Sequence, residues 1–137
     1  MNSTTPIAAP VAALARVLLA LMFILAGAAK FAGLAGTAGY IASKGLPAPM
    51  LLAVAAGTLE LLGGLALAVG FQARWAALAL GLFTLAVTPI FHAFWAVPAD
   101  QAMVTQLLFM KNISVAGGLF FVFSLGAGPA SLDARRG

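Results

Sequence analysis

Residues 11–33 read VAALARVLLALMFILAGAAKFAG, from Val11 to Gly33. Apart from Arg16 and Lys30, the stretch carries no ionisable side chain. A helix needs about 20 apolar residues to cross roughly 30 Å of hydrocarbon, and this stretch supplies them without a break. Pro10, just ahead, suits a first helical turn. Working outward, three more such stretches follow, at about 49–70, 75–95 and 103–125. Gly and Pro stand at the junctions: Gly45-Leu46-Pro47-Ala48-Pro49, Gly70-Phe71, Pro98 and Gly126-Ala127-Gly128-Pro129. The runs are continuous rather than alternating, which argues against a β-barrel. The pattern predicts an all-α, four-transmembrane-helix bundle in a lipid bilayer, made by a single domain over 1–137.

Composition agrees. Hydrophobic residues make up 64% of the 137 and charged ones 7%, against about 25% charged in an average soluble domain. So few charges cannot keep a soluble monomer dispersed, and disorder demands the opposite composition. The absence of Cys removes disulfides, thiolate nucleophiles, zinc–thiolate sites and iron–sulfur ligation. A net charge of +4 comes from scattered basic residues, without the Lys/Arg clusters that a nucleic-acid partner requires. These residues serve better as topology markers. Arg16, Arg74, Arg135 and Arg136 fall on one side and Lys44 on the other, while the link between spans three and four carries only Asp100. The bias puts both termini in the cytoplasm, with Arg16 as an anchor near a helix end. Arg16, the apolar run and Ala26-Gly27-Ala28 also resemble a signal peptide. The long uncharged stretch before Arg16, and apolar residues on both its sides, favour an uncut span.

Ionisable groups inside a span are costly and usually face the bundle interior or a watery cavity. Here they are Arg16, set apart near the cytoplasmic face, and a group of four, Lys30, Glu60, His92 and Lys111, with Asn112 beside the last. Helical steps of three and four place each on a small-and-polar stripe. The stripes are Arg16, Ala20, Phe23, Gly27 and Lys30; Ala53, Gly57, Glu60 and Gly64; Gly81, Thr84, Thr88, His92 and Trp95; and Lys111, Ser114 and Gly118. Small residues let helices approach and polar ones bond across the contact, so the stripes are expected to face each other. At about 1.5 Å per residue, all four ionisable groups fall in the outer half of the bundle. Glu60 and Lys111 lie at nearly matching depth and are the expected ion pair. Lys30 is the next candidate, or else snorkels to the outer interface. Each residue also has a purely structural reading: register-fixing for the Glu60–Lys111 pair, an aromatic belt for His92 and Trp95, helix–helix glue for Asn112. One His and one Glu make no metal shell or bis-His haem site, so no metal is expected. Gly63-Gly64 and Gly117-Gly118 read as close-packing points, not phosphate loops.

Taken together, these motifs resemble the DoxX family of small four-span bacterial membrane proteins. The resemblance rests on RVLLALMFILAGAAKF (Arg16 to Phe31), Lys44-Gly45-Leu46-Pro47, Glu60-Leu61-Leu62-Gly63-Gly64 with Gly70 and Arg74, and His92 with Trp95. Lys111-Asn112 with Gly117-Gly118 and the tail from Gly126 to Asp133 complete it. The resemblance implies a place in the bacterial plasma (inner) membrane and association with a membrane redox complex, a redox-enzyme partner and a quinone, and it establishes no reaction. Three functional readings follow. In the first, the bundle is a quinone-linked subunit without an intrinsic cofactor: His92 and Lys111 donate to the quinone oxygens, Glu60 relays protons, and Trp95 and Phe91 stack on the ring. In the second, a homo-oligomer carries a small solute past the buried charges. In the third, the chain is a scaffold without chemistry. The site candidates are thus Lys30, Glu60, His92, Trp95, Lys111 and Asn112.

Overall fold

A computed structural model describes residues 7–137. Six helices follow in order: α1 (Ala8–Ala32), α2 (Leu34–Ser43), α3 (Pro49–Val69), α4 (Ala73–Phe91), α5 (Ala99–Leu125) and α6 (Leu132–Arg136). A 3-10 turn, Phe94–Ala96, joins α4 to α5. Four helices are long and apolar enough to cross a membrane: α1, α3, α4 with the turn after it, and α5. No strand occurs among the described residues. Two short helices go beyond the sequence expectation. One is α2, in what reads as a connection; the other is α6, in the tail.

The junctions end as their residues require. Gly70 takes the left-handed conformation (φ 71°) after α3. Its N–H donates to Leu67 O and the Phe71 N–H to Ala66 O, so the last carbonyls of α3 are satisfied by a Schellman motif. Pro49 occupies the first turn of α3, where it lacks no needed donor. Pro89 sits in the last turn of α4, and the helix ends two residues later at Phe91.

The helices form a curved row rather than a square. α3 packs between α1 and α4, α5 packs on α4, and α1 and α5 meet only sparsely. Glycine sets the α1–α3 approach. A Cβ on Gly27 would stand 2.6 Å from Leu61 N and 2.8 Å from Gly57 O. Gly64 lies against Ile24 and Phe23 in the same interface. Of the expected close-packing points, Gly63 and Gly64 are in contact, whereas Gly117 has nothing within 4 Å of an added Cβ. One buried cluster holds Ala20 and Phe23 with Leu67, Ala77, Leu80 and Leu119. A second, at the α2 end, holds Ala38, Ile41 and Ala53 with Phe91 alongside. Large apolar residues such as Leu14, Leu18, Leu25 and Leu107 point outward, as lipid contact demands.

The tail closes the opposite end. The Asp133 carboxylate accepts from Gln72 N (2.7 Å) and Ala73 N (2.9 Å), capping α4 from a distant part of the chain. The Asp133 N–H returns to Gly70 O at 2.8 Å. Arg16 is not a bare anchor at the water interface: it is buried and donates to Ala130 O in the tail. Two expected faces also need correction. The buried stripe of α5 is Asn112, Ala116 and Leu119, one residue round from the Lys111–Ser114–Gly118 line. On α4 the stripe ends at Thr88, because the helix stops before Trp95.

Candidate functional site

The sparse contact between α1 and α5 leaves a cavity of about 530 Å³ at the α2 end of the bundle. All five helices from α1 to α5 contribute to its walls. Five of the six sequence candidates line it: Lys30, Glu60, His92, Lys111 and Asn112. Trp95 does not. It is 61% exposed, on the 3-10 turn, with its ring edge-on to Phe94 and Phe109 at centroid distances of 5.1 and 5.9 Å. The stacking expected of Trp95 is therefore lost, because the helix it was placed on ends at Phe91.

The ion pair joins different helices from those expected. Lys30 Nζ donates to Glu60 Oε2 at 2.8 Å and to Oε1 at 3.1 Å. The Glu60–Lys111 pairing is thereby overturned, and so is a snorkelling Lys30. Depth alone cannot choose between two lysines. Adjacency does: α3 packs directly on α1, whereas α5 packs on α4 and faces Glu60 only across the cavity. Among the described residues this is the one salt bridge, so Lys111 has no carboxylate partner there.

The opposite wall carries Lys111 and, beside it, a neutral polar network. Asn112 Nδ2 donates to Thr88 Oγ1 at 3.1 Å, and Thr88 Oγ1 donates to the Thr84 carbonyl one turn below. This chain of bonds holds the Asn112 amide in place. The Thr84 hydroxyl is buried, lines the cavity and has no hydrogen-bond partner. An unsatisfied buried hydroxyl costs on the order of 1–3 kcal/mol, so it stands out at a cavity wall. Thr84 was legible only as a member of the small-and-polar stripe. Tyr40, from α2, was not legible as part of any site. Its ring meets Phe91 at 5.2 Å beside the cavity. The rest of the lining is apolar and aromatic, including Phe23, Phe83 and Phe91.

Such a cavity suits a lipophilic molecule with a polar head. Aromatic and aliphatic walls take its body, while donors on two sides take polar atoms. A charged pair, an imidazole and an ammonium provide positions that can hold or pass a proton.

Known proteins resemble the chain along most of its length. The model of the DoxX family matches residues 11–93. Inner membrane protein YqjF of Escherichia coli is 40% identical, over 87% of this chain and 86% of that protein. Inner membrane protein YphA of Escherichia coli is 36% identical, over 89% of this chain and 87% of that protein. The ER-derived vesicles protein ERV29 of Saccharomyces cerevisiae is 27% identical over 57% of this chain, which spans a quarter (25%) of that protein. No solved structure matches. With the four membrane-length helices, these likenesses make the protein a multi-pass protein of the inner membrane.

Proposed function

The chain belongs to the DoxX family, and from that premise we propose that it is a subunit of a quinone-linked redox complex, with the cavity between α1 and α5 as the quinone headgroup site. The observation that carries the proposal is the unpartnered Thr84 hydroxyl in an otherwise aromatic and aliphatic cavity with polar groups on two sides. Residues present there fit a flat ring with two oxygen acceptors. The Thr84 hydroxyl and the Asn112 amide offer donors on one wall, and Lys111 and His92 offer donors beside them. Tyr40 and Phe91 supply the aromatic contact that Trp95 does not reach. Phe23 and Phe83 bound the apolar remainder.

A quinone, when bound, supplies the capacity to accept two electrons and two protons. The chain's part is to seat the headgroup, keep bulk water away from it and hold protons nearby. The Lys30 ammonium donates to both oxygens of the Glu60 carboxyl group at the bundle interior. His92 can hold or release a proton at an imidazole nitrogen on the cavity's rim. With no Cys and a single His, the chain has no ligand set for an iron–sulfur cluster or a bis-His haem. In this reading electrons come from a partner protein or a directly bound reductant.

Purification from native membranes in mild detergent, followed by mass analysis of the extracted lipids, tests the proposal. Near-stoichiometric quinone is expected in the wild-type protein and much less in Thr84→Val. Wild-type protein that is free of quinone, and that fails to bind added quinone in nanodiscs, would refute it.

A further inference from the structure

The cavity is not balanced in charge. Its lining holds two ammonium groups, Lys30 and Lys111, and one carboxylate, Glu60. Lys30 and Glu60 neutralise each other at 2.8 Å. No second acid comes from any surrounding element. α2 contributes Thr37, Tyr40 and Ile41; α4 and its end contribute Thr84 and His92; α5 adds Asn112 beside Lys111. Lys44, just after α2, adds further positive charge near the rim, with its Nζ 5.6 Å from the Tyr40 ring centroid.

The Lys111 side chain is exposed where α5 borders the cavity, yet it lies far along its span from either end. At about 1.5 Å per residue it lies roughly 18 Å along α5 from Ala99, close to the middle of the helix. A side chain about 6 Å long does not span that distance to the interface by snorkelling. An unpaired ammonium at this depth is costly unless something in the cavity compensates it. The protein supplies a gap where the compensating charge would sit, bounded by Lys111, Asn112 and His92 on one side and by the closed Lys30–Glu60 pair on the other.

We infer that the cavity selects a lipophilic acid: a ligand with an apolar body and one negative charge on its head, held by Lys111. The inference rests on the same cavity as the proposed quinone site and adds the charge of the ligand. For a quinone it means a ring bearing an ionised hydroxyl in preference to a neutral ring. The carboxylate of Glu60 does not repel such a head, because Lys30 covers both of its oxygens.

Two alkyl naphthoquinones that differ at one ring position separate the two ideas. One carries a methyl group there; the other carries an acidic hydroxyl that is ionised at neutral pH. Binding is measured to the full-length protein in phosphatidylcholine nanodiscs, with partition into empty nanodiscs subtracted. The acidic probe is expected to bind about tenfold more tightly than the neutral one, the size of one charge-assisted hydrogen bond in a partly desolvated site. Lys111→Met abolishes the preference; the neutral probe loses at most the Lys111 hydrogen bond and still binds, which shows that the cavity is intact. Lys111→Arg keeps the preference. Equal binding of both probes to the wild type would overturn the inference while leaving the quinone site standing. A preference that survives in Lys111→Met would also overturn it. Binding of the neutral probe alone would likewise overturn only the inference, and failure of both probes to bind would remove the quinone site along with it.

Discussion

The Lys30–Glu60 pair and the Thr84 hydroxyl make opposite demands on the same cavity. Glu60 has a side chain 8% exposed and gives both oxygens to Lys30. Taking away one partner of such a pair leaves a buried charge uncompensated, at a cost of about 3 kcal/mol. Glu60→Gln is therefore expected to lower unfolding stability in detergent by about that amount, and Lys30→Met likewise. The double substitution Lys30→Met with Glu60→Leu removes both charges and is expected to recover most of the loss. A double variant as unstable as either single one would show that the charges do more than neutralise each other. Thr84 is the reverse case. Its hydroxyl is buried without a partner, so the near-isosteric Thr84→Val is expected to stabilise the ligand-free protein by about 1 kcal/mol. The same change weakens ligand binding. Stabilisation together with lost affinity is the signature of a binding residue; a structural hydroxyl would lose stability. The short list of intramembrane polar residues was readable from the chain, because any such residue in an apolar run needs a reason. Which lysine meets Glu60 was not readable, because helical spacing gives the face and depth of a residue but not its neighbouring helix.

Among the elements, α1 and α3 depend most on single atoms. Gly27 leaves no room for a Cβ, and what it would meet is the backbone of α3, which cannot turn aside. Gly27→Ala must push the two helices apart, at about 1–3 kcal/mol, and it shifts Lys30 relative to Glu60 one turn further along. Gly117 carries the same residue type in open space. Gly117→Ala is expected to be neutral or to stabilise α5 by up to about 1 kcal/mol, since glycine inside a helix costs roughly that much relative to alanine. Thermal unfolding of the two variants in one detergent measures the contrast; similar losses in both would refute the packing account. The four long helices were legible because each is a continuous apolar run of membrane length. α2 was not: LAGTAGYIAS is short, and Gly36, Gly39 and Thr37 make it look like a linker. Tyr40 was hidden with it. The end of α4 was misread for a related reason. A regular stripe from Gly81 to Trp95 ignores Pro89, after which the chain leaves the helix and turns through Phe94–Ala96. A stripe centred on Lys111 misses the buried face of α5 by one residue, because Asn112 is the one that packs and bonds to Thr88.

At the scale of the whole molecule, the fold sorts the basic residues between its two ends. Arg16 bonds to the tail, Arg74 lies over Gly126 and Asp133 holds the α3–α4 turn, so Arg16, Arg74, Arg135 and Arg136 gather at one end. The cavity, α2 and Lys44 lie at the other. Four crossings return the chain to the side where it started, and the arginine-rich end is expected in the cytoplasm. The cavity would then open in the outer half of the membrane. The chain contains no Cys, so single cysteines report the orientation without background. Asp100→Cys, at the exposed start of α5, should react with a membrane-impermeant maleimide in spheroplasts. Ala134→Cys, exposed on α6, should react only after the membrane is opened. The reverse pattern would invert the topology and put the cavity in the cytoplasmic half. The tail itself is open to the same kind of measurement. Its Asp133 carboxylate satisfies two N–H groups at the start of α4, so Asp133→Ala is expected to cost about 1–2 kcal/mol. If that carboxylate also holds the tail down over Arg16, the Ala134→Cys label should react several times faster in the Asp133→Ala background. An unchanged rate would mean that Arg16 and the Asp133 N–H to Gly70 O bond suffice to keep the tail in place.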